Sequence, residues 1–190
     1  MVLDTVHELL SSSYKTDIFV GRIEKKMFYA VQIHERIPID EGAFFRHKVY
    51  DTLNDPRGWG IPFQHTDLHT LLQLPKEKVF IIRLTPPDEL YKKYAEFKER
   101  QLSVANMVDR VIDINHCRWT EQCPNKSHLP LEEYQQYVIL HEVGHMMGKK
   151  HPDTDDLTYQ TKAPVMMQQT LGIRHFSPNP WPTEFDKNVL

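Results

Sequence analysis

One eleven-residue stretch, His141-Glu142-Val143-Gly144-His145-Met146-Met147-Gly148-Lys149-Lys150-His151, holds three imidazoles and a carboxylate at spacings that suit a metal site. On an α-helix, residues four apart are offset by about 40° around the axis and about 6 Å along it. His141 and His145 therefore share a face and can offer nitrogens to one ion. Glu142 follows the first ligand but points off the metal direction, as suits a carboxylate that holds a water beside the metal instead of coordinating it. Gly148 can take positive φ at little cost, end the helix and turn the chain back, so that His151 supplies a third nitrogen. Three neutral histidines leave a fourth tetrahedral position for water, the arrangement of catalytic rather than structural zinc. The expectation is one catalytic Zn2+ held by His141, His145 and His151, with Glu142 as general base. Such an ion lowers the pKa of water towards about 7 and polarises a carbonyl, which is the chemistry of hydrolysis.

A helix has to carry the first two ligands. Pro130 suits a first helical turn, and Glu132 and Glu133 lie near the positive end of the dipole, so a helix is predicted to run from there into His141. Upstream, Met27, Tyr29, Val31 and Ile33 alternate with Phe28, Ala30, Gln32 and His34, the period-two pattern of a strand, which Ile37-Pro38-Ile39 ends. Asp40 reads as an N-cap, with Phe45, Val49, Thr52 and Leu53 following at helical spacing until the Asn54-Asp55-Pro56-Arg57-Gly58 turn. Val79-Phe80-Ile81-Ile82-Arg83-Leu84, bounded by charges and by Pro86-Pro87, reads as a central strand. Asp88 to Arg100 reads as a solvated helix, and Leu102 to Asn106 and Val108 to Ile114 as two more strands near the active centre. From Gly148 onward proline and polar residues dominate, which predicts mostly loop.

Beyond the third ligand, Ala163-Pro164-Val165-Met166-Met167-Gln168-Gln169-Thr170 puts methionine in a turn-like apolar segment able to pack beneath the histidines. The HExxHxxGxxH pattern followed by such a Met-turn resembles the metzincin clan of zinc peptidases. The resemblance implies that the three histidines bind zinc, that Glu142 is the base, and that Met166 is the structural Met-turn residue, with Met167 the alternative. The chain is similar, more closely, to an uncharacterised bacterial metzincin-like domain family. That likeness runs through Thr52-Leu53-Asn54-Asp55-Pro56-Arg57-Gly58-Trp59, Tyr134-Gln135-Gln136-Tyr137-Val138, Pro164 to Thr170 and Pro178-Asn179-Pro180-Trp181-Pro182, segments spanning most of residues 50 to 182. In that family cysteines often flank the Met-turn, whereas residues 152–160 and 172–176 contain none here, a departure that fits a reducing compartment.

A formal net charge of −3 gives no global reason to bind nucleic acid or an anionic membrane. Met1 to Val20 carries Asp4, Glu8, Lys15 and Asp17 and lacks the apolar core of a signal peptide, and no stretch approaches the roughly 18 apolar residues of a membrane span. Cys117 and Cys123 are too few for a disulfide scaffold. A local bridge between them is open, but free thiols in a cytoplasmic setting are the expectation. His65, His69, His116, His128 and His175 read as surface or hydrogen-bonded residues, and Trp59, Trp119 and Trp181 as packing aromatics. Lys149 and Lys150 read as solvated surface, with steering of an acidic substrate the alternative. Asp153, Asp155 and Asp156 either orient a histidine through its second nitrogen or solvate the loop.

These readings assemble into an α/β (α+β) zincin-like fold with one domain over 1–190. Residues 1–148 form a twisted mixed sheet with one helix packed behind it and the active-site helix below, and residues 149–190 form a loop-rich subdomain carrying the Met-turn. The cleft between an edge strand near Leu102 to Asn106 and the Met-turn would take a protein or peptide substrate extended, by main-chain pairing. The expected function is a zinc metalloendopeptidase. Two other readings stay open at this point: a non-proteolytic zinc-binding or interaction protein on the same fold, and an amidase acting on a non-protein peptide.

Overall fold

Alternation of apolar side chains divides the sheet into two faces, and the larger of its two apolar surfaces fixes where both long helices go. The computed structural model describes residues 26–99, 101–123, 128–153, 157 and 161–188. Within them β1 (Met27–Ile33), β2 (Phe63–His65), β3 (Val79–Thr85), β4 (Val104–Asn106) and β5 (Val111–Asn115) form one mixed sheet in the order β2-β1-β3-β5-β4. Neighbours are parallel except β4, which runs antiparallel to β5 at the edge. β3 lies at the centre, as its continuous apolar run predicts. With the helices below, this is a mixed α/β architecture consistent with an α+β fold.

Tyr29, Phe80, Ile82, Leu84, Ile112 and Ile114 face one way and enter the main core. They meet Phe45, Val49 and Leu53 of α1 (Ile39–Asn54) and the long α5 (Leu131–Met146). Ala30, Val79 and Ile81 face the other way, beneath Leu71 of the short α2 (Leu68–Leu71). The expectation of one helix behind the sheet is thus corrected, because α1 and α5 share the same face. α5 is the reason: eleven of its residues are buried, on several sides, so it needs the sheet, a flanking helix and the C-terminal loops to cover it.

Other departures are local. The helix of α1 begins at Ile39, with Pro38 in the cap position and no side-chain cap bond, so Asp40 is not the N-cap. The proline ring, with φ −53°, admits the chain to the helix early and leaves Asp40 and Glu41 in the first turn, where they favour the positive dipole end. The segment after β3 is helical only over α3 (Pro87–Lys93), followed by a 3₁₀ turn at Ala95–Phe97. Tyr94 breaks it, adopting φ −132° while its ring packs with Leu90 and Val104. β5 starts at Val111 instead of Val108, since the Asn106 side chain accepts from the Asp109 amide at 2.9 Å and closes a turn. β2 and α2 were not read from the pattern, being only three and four residues long.

The expectation of free thiols at Cys117 and Cys123 is also corrected: the two form a disulfide. Asn115 caps the one-turn α4 (His116–Trp119) by accepting from the Cys117 amide, and the chain then folds back so that Gln122 and Cys123 both donate to the Cys117 carbonyl. That return brings the two Cα atoms to 5.1 Å. Disulfides persist in oxidising environments, so the bond removes the cysteine-based reason for a reducing setting. No helix among the described residues is long and apolar enough to cross a membrane.

Closing so small a loop constrains the unfolded chain by about 2 kcal/mol. Replacing both cysteines by serine is expected to lower unfolding free energy by about that amount in urea titrations. A thiol reagent should find no cysteine in the native protein and two after reduction. Two reactive thiols before reduction would contradict the bond.

Candidate metal centre and cleft

The end of α5 builds the site. Gly148 takes φ +86°, its amide donates to the His145 carbonyl at 2.9 Å, and the Lys149 amide donates to the Gly144 carbonyl at 2.9 Å. These are the paired bonds of a Schellman motif, and they send the chain back over the helix end towards His151. Arg110 secures the same end from the sheet, donating to the carbonyls of Met146 at 2.7 Å and of Val79 at 3.0 Å.

His141, His145 and His151 come together as the sequence predicts, the one metal-competent group of three or more His, Cys, Asp or Glu among the described residues. His151 Nε2 lies 3.2 Å from His141 Nε2 and 3.1 Å from His145 Nε2. Tetrahedral zinc at about 2.0–2.1 Å from each nitrogen sets neighbouring nitrogens about 3.3–3.4 Å apart, close to these distances. The opposite nitrogens decide the tautomers. His141 Nδ1 is 2.7 Å from the Val165 carbonyl and His145 Nδ1 is 2.9 Å from the Lys149 carbonyl. A carbonyl only accepts, so both Nδ1 atoms carry the proton, and in the neutral rings both Nε2 atoms present lone pairs. Lone pairs converging on a third imidazole at this range repel unless a cation lies among them. The donor set could thus hold a metal ion.

Desolvation is the first cause acting on each imidazole, although His151 is the exposed member of the three. Desolvation, then the neighbouring His145, pushes His141 down to about 3, and desolvation followed by His145 pushes His151 down to about 4; desolvation also lowers His145. Glu142 is buried beside His141, and desolvation pushes its carboxyl up to about 8. Its side chain has no hydrogen-bond partner among the described residues and lines a cleft of about 210 Å³. The three histidines line the same cleft, with Val104 and Ala105 of the edge strand β4, Tyr134 and Val138 of α5, and Thr170.

Gly144 is what lets the floor of the site close. Its missing side chain leaves room for Met166 and Trp59 to lie against the helix, and a Cβ there would press on the Met166 sulfur and come within 2.8 Å of Trp59 Cζ2. The Trp59 indole also donates to the Leu140 carbonyl at 3.0 Å. Met166 belongs to the main core, whereas Met167 packs separately with Leu157, Ala163 and Phe176. Of the two methionines, Met166 is therefore the one against the ligand-bearing helix.

A family model described as "Protein of unknown function (DUF3152)" matches residues 10–184. The chain belongs to the DUF3152 family. Neither comparison with curated proteins nor comparison with solved structures gave a match.

Several residues of this DUF3152 chain that hold the site escaped the sequence reading. Asp186, on the short α6 (Glu184–Asn188), is almost fully buried and accepts from the amides of Val165 at 2.9 Å and Met166 at 3.0 Å. It also accepts from the Thr183 amide at 2.7 Å. Thr183-x-x-Asp186 is a capping-box spacing, and that signal was available in the sequence. Gln169 and Asn179 bond each other through side chain and backbone, at 2.7 Å and 3.0 Å, tying the methionine turn to the 178–182 proline segment. The Tyr137 hydroxyl donates to the Met167 carbonyl and accepts from the Gln169 amide. No spacing rule points to these pairs, because they join positions far apart in the chain.

The remaining readings sort clearly. Lys149 is buried, not solvated, and its ammonium donates to the Lys187 carbonyl at 3.3 Å. The backbone turn that places His151 carries its side chain inward. Asp153 makes no hydrogen bond to the three histidines among the described residues, and Asp155 and Asp156 lie outside them. None of His65, His69, His116, His128 and His175 joins the group: His69 bonds Gln73, and His116 meets Glu41 at 2.6 Å.

Two outcomes follow from this geometry. Gly144→Ala overpacks the contact with Met166 and Trp59 and is expected to cost about 1–3 kcal/mol in urea unfolding. An unchanged midpoint would mean that the methionine turn does not press on the helix. In protein stripped by a chelator, the unfolded histidines take up protons near 6.5 whereas folded His141 and His151 refuse them to about 3 and about 4, so stability falls as pH drops below about 6.5. Glu142 acts oppositely: its raised folded pKa means stability is lost as pH rises towards about 8. Stability of the stripped protein should therefore peak between about pH 6 and 7, and Glu142→Gln should abolish the decline on the alkaline side. A decline that persists in that variant would rule Glu142 out as its source.

Proposed function

We propose that the protein is a zinc-dependent metalloendopeptidase with His141, His145 and His151 as ligands and Glu142 as general base. The observation that carries this reading is the pair of Nδ1–H bonds to the Val165 and Lys149 carbonyls, which turns two lone pairs onto a third imidazole at metal-binding separation. Zinc bound there would acidify a water and polarise a peptide carbonyl. Glu142 then takes the proton of the attacking water and passes it to the departing amine. Glu142 is buried beside His141 and lines the same cleft as the three histidines, which suits a group that would hold and move that proton.

Substrate handling rests on β4. Its inner edge pairs with β5 over three residues and its other edge pairs with no strand among the described residues, while Val104 and Ala105 line the cleft beside the histidines. An extended peptide can add there as a further strand, which holds a scissile bond across the cleft without depending on its side chains. Met166 serves as the structural methionine beneath the ligands. The Cys117–Cys123 bond favours work in an oxidising compartment over the cytoplasm.

The test is wild-type protein beside Glu142→Gln and His145→Ala, assayed for zinc content and for cleavage of an unbiased peptide library. Wild type is expected to hold one zinc per chain and to cleave. Glu142→Gln should keep the zinc and lose at least about 100-fold in rate, the usual weight of a general base. His145→Ala should lose the metal. Zinc-loaded wild type that cuts no peptide would sink the peptidase reading and favour a non-proteolytic zinc protein.

A further inference from the structure

The reverse face of the sheet carries a polar row at a place where apolar residues would serve stability better. Gln32 on β1 is registered with Arg83 on β3, and Arg83 with Asp113 on β5, so the row crosses the three strands nearest the middle of the sheet. Arg83 sits half-buried in the central strand. Its Nε donates to Gln32 Oε1 at 2.8 Å, which fixes the plane of the guanidinium. Among the described residues Arg83 makes no ion pair, and its two Nη groups have no hydrogen-bond partner. The neighbouring carboxylate is already engaged: Asp113, 4% exposed, accepts from Thr85 Oγ1 at 2.9 Å and from the Tyr94 hydroxyl at 3.3 Å.

These residues border a cavity of about 570 Å³ that shares no lining residue with the histidine cleft. Three cations line it from three elements, Arg83 from β3, Lys93 from α3 and Arg46 from α1, together with His34. The anions in the same lining are Asp113 and Glu89. Glu89 is occupied by Lys92 at 2.8 Å and by Arg36 at 3.3 Å, whereas Lys93 stands 3.8 Å from Asp109 and 4.0 Å from Asp113, at the limit of ion pairing. The location is also informative. After β1 the chain goes to β2 on one side, and after β3 it goes to β4 at the far edge of the other side and then back to β5, so β1 and β3 flank a switch in direction. Crevices outside the carboxyl ends of strands at such a switch are where open α/β sheets take ligands, and the cavity is bordered by His34, Leu84 and Thr85 at those ends.

We propose that this cavity at the carboxyl ends of β1 and β3 is a second binding site, for a small phosphate-bearing molecule whose phosphate is received by the free edge of Arg83 and by Lys93. A planar fork with a fixed Nε edge matches an oxyanion in bidentate fashion. Cations from three elements suit a tetrahedral group with several outward oxygens better than a planar carboxylate. The volume leaves space for an organic portion beyond the phosphate.

The site is independent of the histidine centre, and its test is calorimetric titration with inorganic phosphate at low ionic strength, with acetate as comparator. Wild type should bind phosphate saturably and more tightly than acetate. Arg83→Gln should weaken phosphate binding at least tenfold and Lys93→Met several-fold, while Arg57→Gln, on the far surface against Trp181, should leave it unchanged. Lys93 is partly exposed, so its variant carries the test if Arg83→Gln fails to fold. No saturable binding, acetate bound as well as phosphate, or affinity indifferent to both Arg83→Gln and Lys93→Met would overturn the assignment.

Discussion

The bond from His141 Nδ1 to the Val165 carbonyl is the constraint on which the rest of the site depends. It sets the tautomer of a buried ring, aims that ring's other nitrogen, and does so from a segment 24 residues further along the chain. A carbonyl in a loop can do this only if the loop is held. Asp186 holds it by taking the amides of Val165 and Met166, and is itself fixed by the backbone and hydroxyl of Thr183. A buried carboxylate that accepts several hydrogen bonds is well compensated for its lost water. The chain of contacts therefore runs from a capping box near the C-terminal end, through two peptide groups, to a ligand on the longest buried helix.

His145 is governed by a different and more local device. Its Nδ1 partner, the Lys149 carbonyl, belongs to the helix-ending turn itself, so one glycine conformation both orients the second imidazole and delivers the third. Two ligands placed by one turn and one placed by a distant loop explain why the eleven-residue stretch reads so plainly and its support does not. The loop's approach is made possible by Gly144, where any side chain would meet Met166 and Trp59. Within that stretch the two glycines thus do different jobs: Gly148 supplies a left-handed backbone, and Gly144 supplies space.

What was legible in the sequence follows the range of the interactions. The strand at Met27–Ile33, the central strand at Val79, the helix entering His141 and the meeting of three histidines all depend on period or short spacing, and all are present. The two long helices on one face were not legible, because the choice of face depends on how much of α5 needs covering, a property of the assembled layers. The disulfide was missed for a similar reason: a six-residue separation permits a bridge but does not require one, and the deciding fold-back at the Cys117 carbonyl is tertiary detail. Lys149 was misplaced because the turn that rotates its side chain inward cannot be seen from charge alone.

The two faces of the sheet differ in how they treat charge, and this difference bears on function more than the fold class does. In the histidine cleft, desolvation drives the imidazoles down and the Glu142 carboxyl up. A divalent ion held there would offset that penalty by taking the three lone pairs and favouring the carboxylate form of Glu142. On the reverse face Arg83 is held by Gln32 and Asp113 by two hydroxyls. A guanidinium left half-satisfied can take a partner of opposite sign, whereas three converging imidazole nitrogens can take a cation.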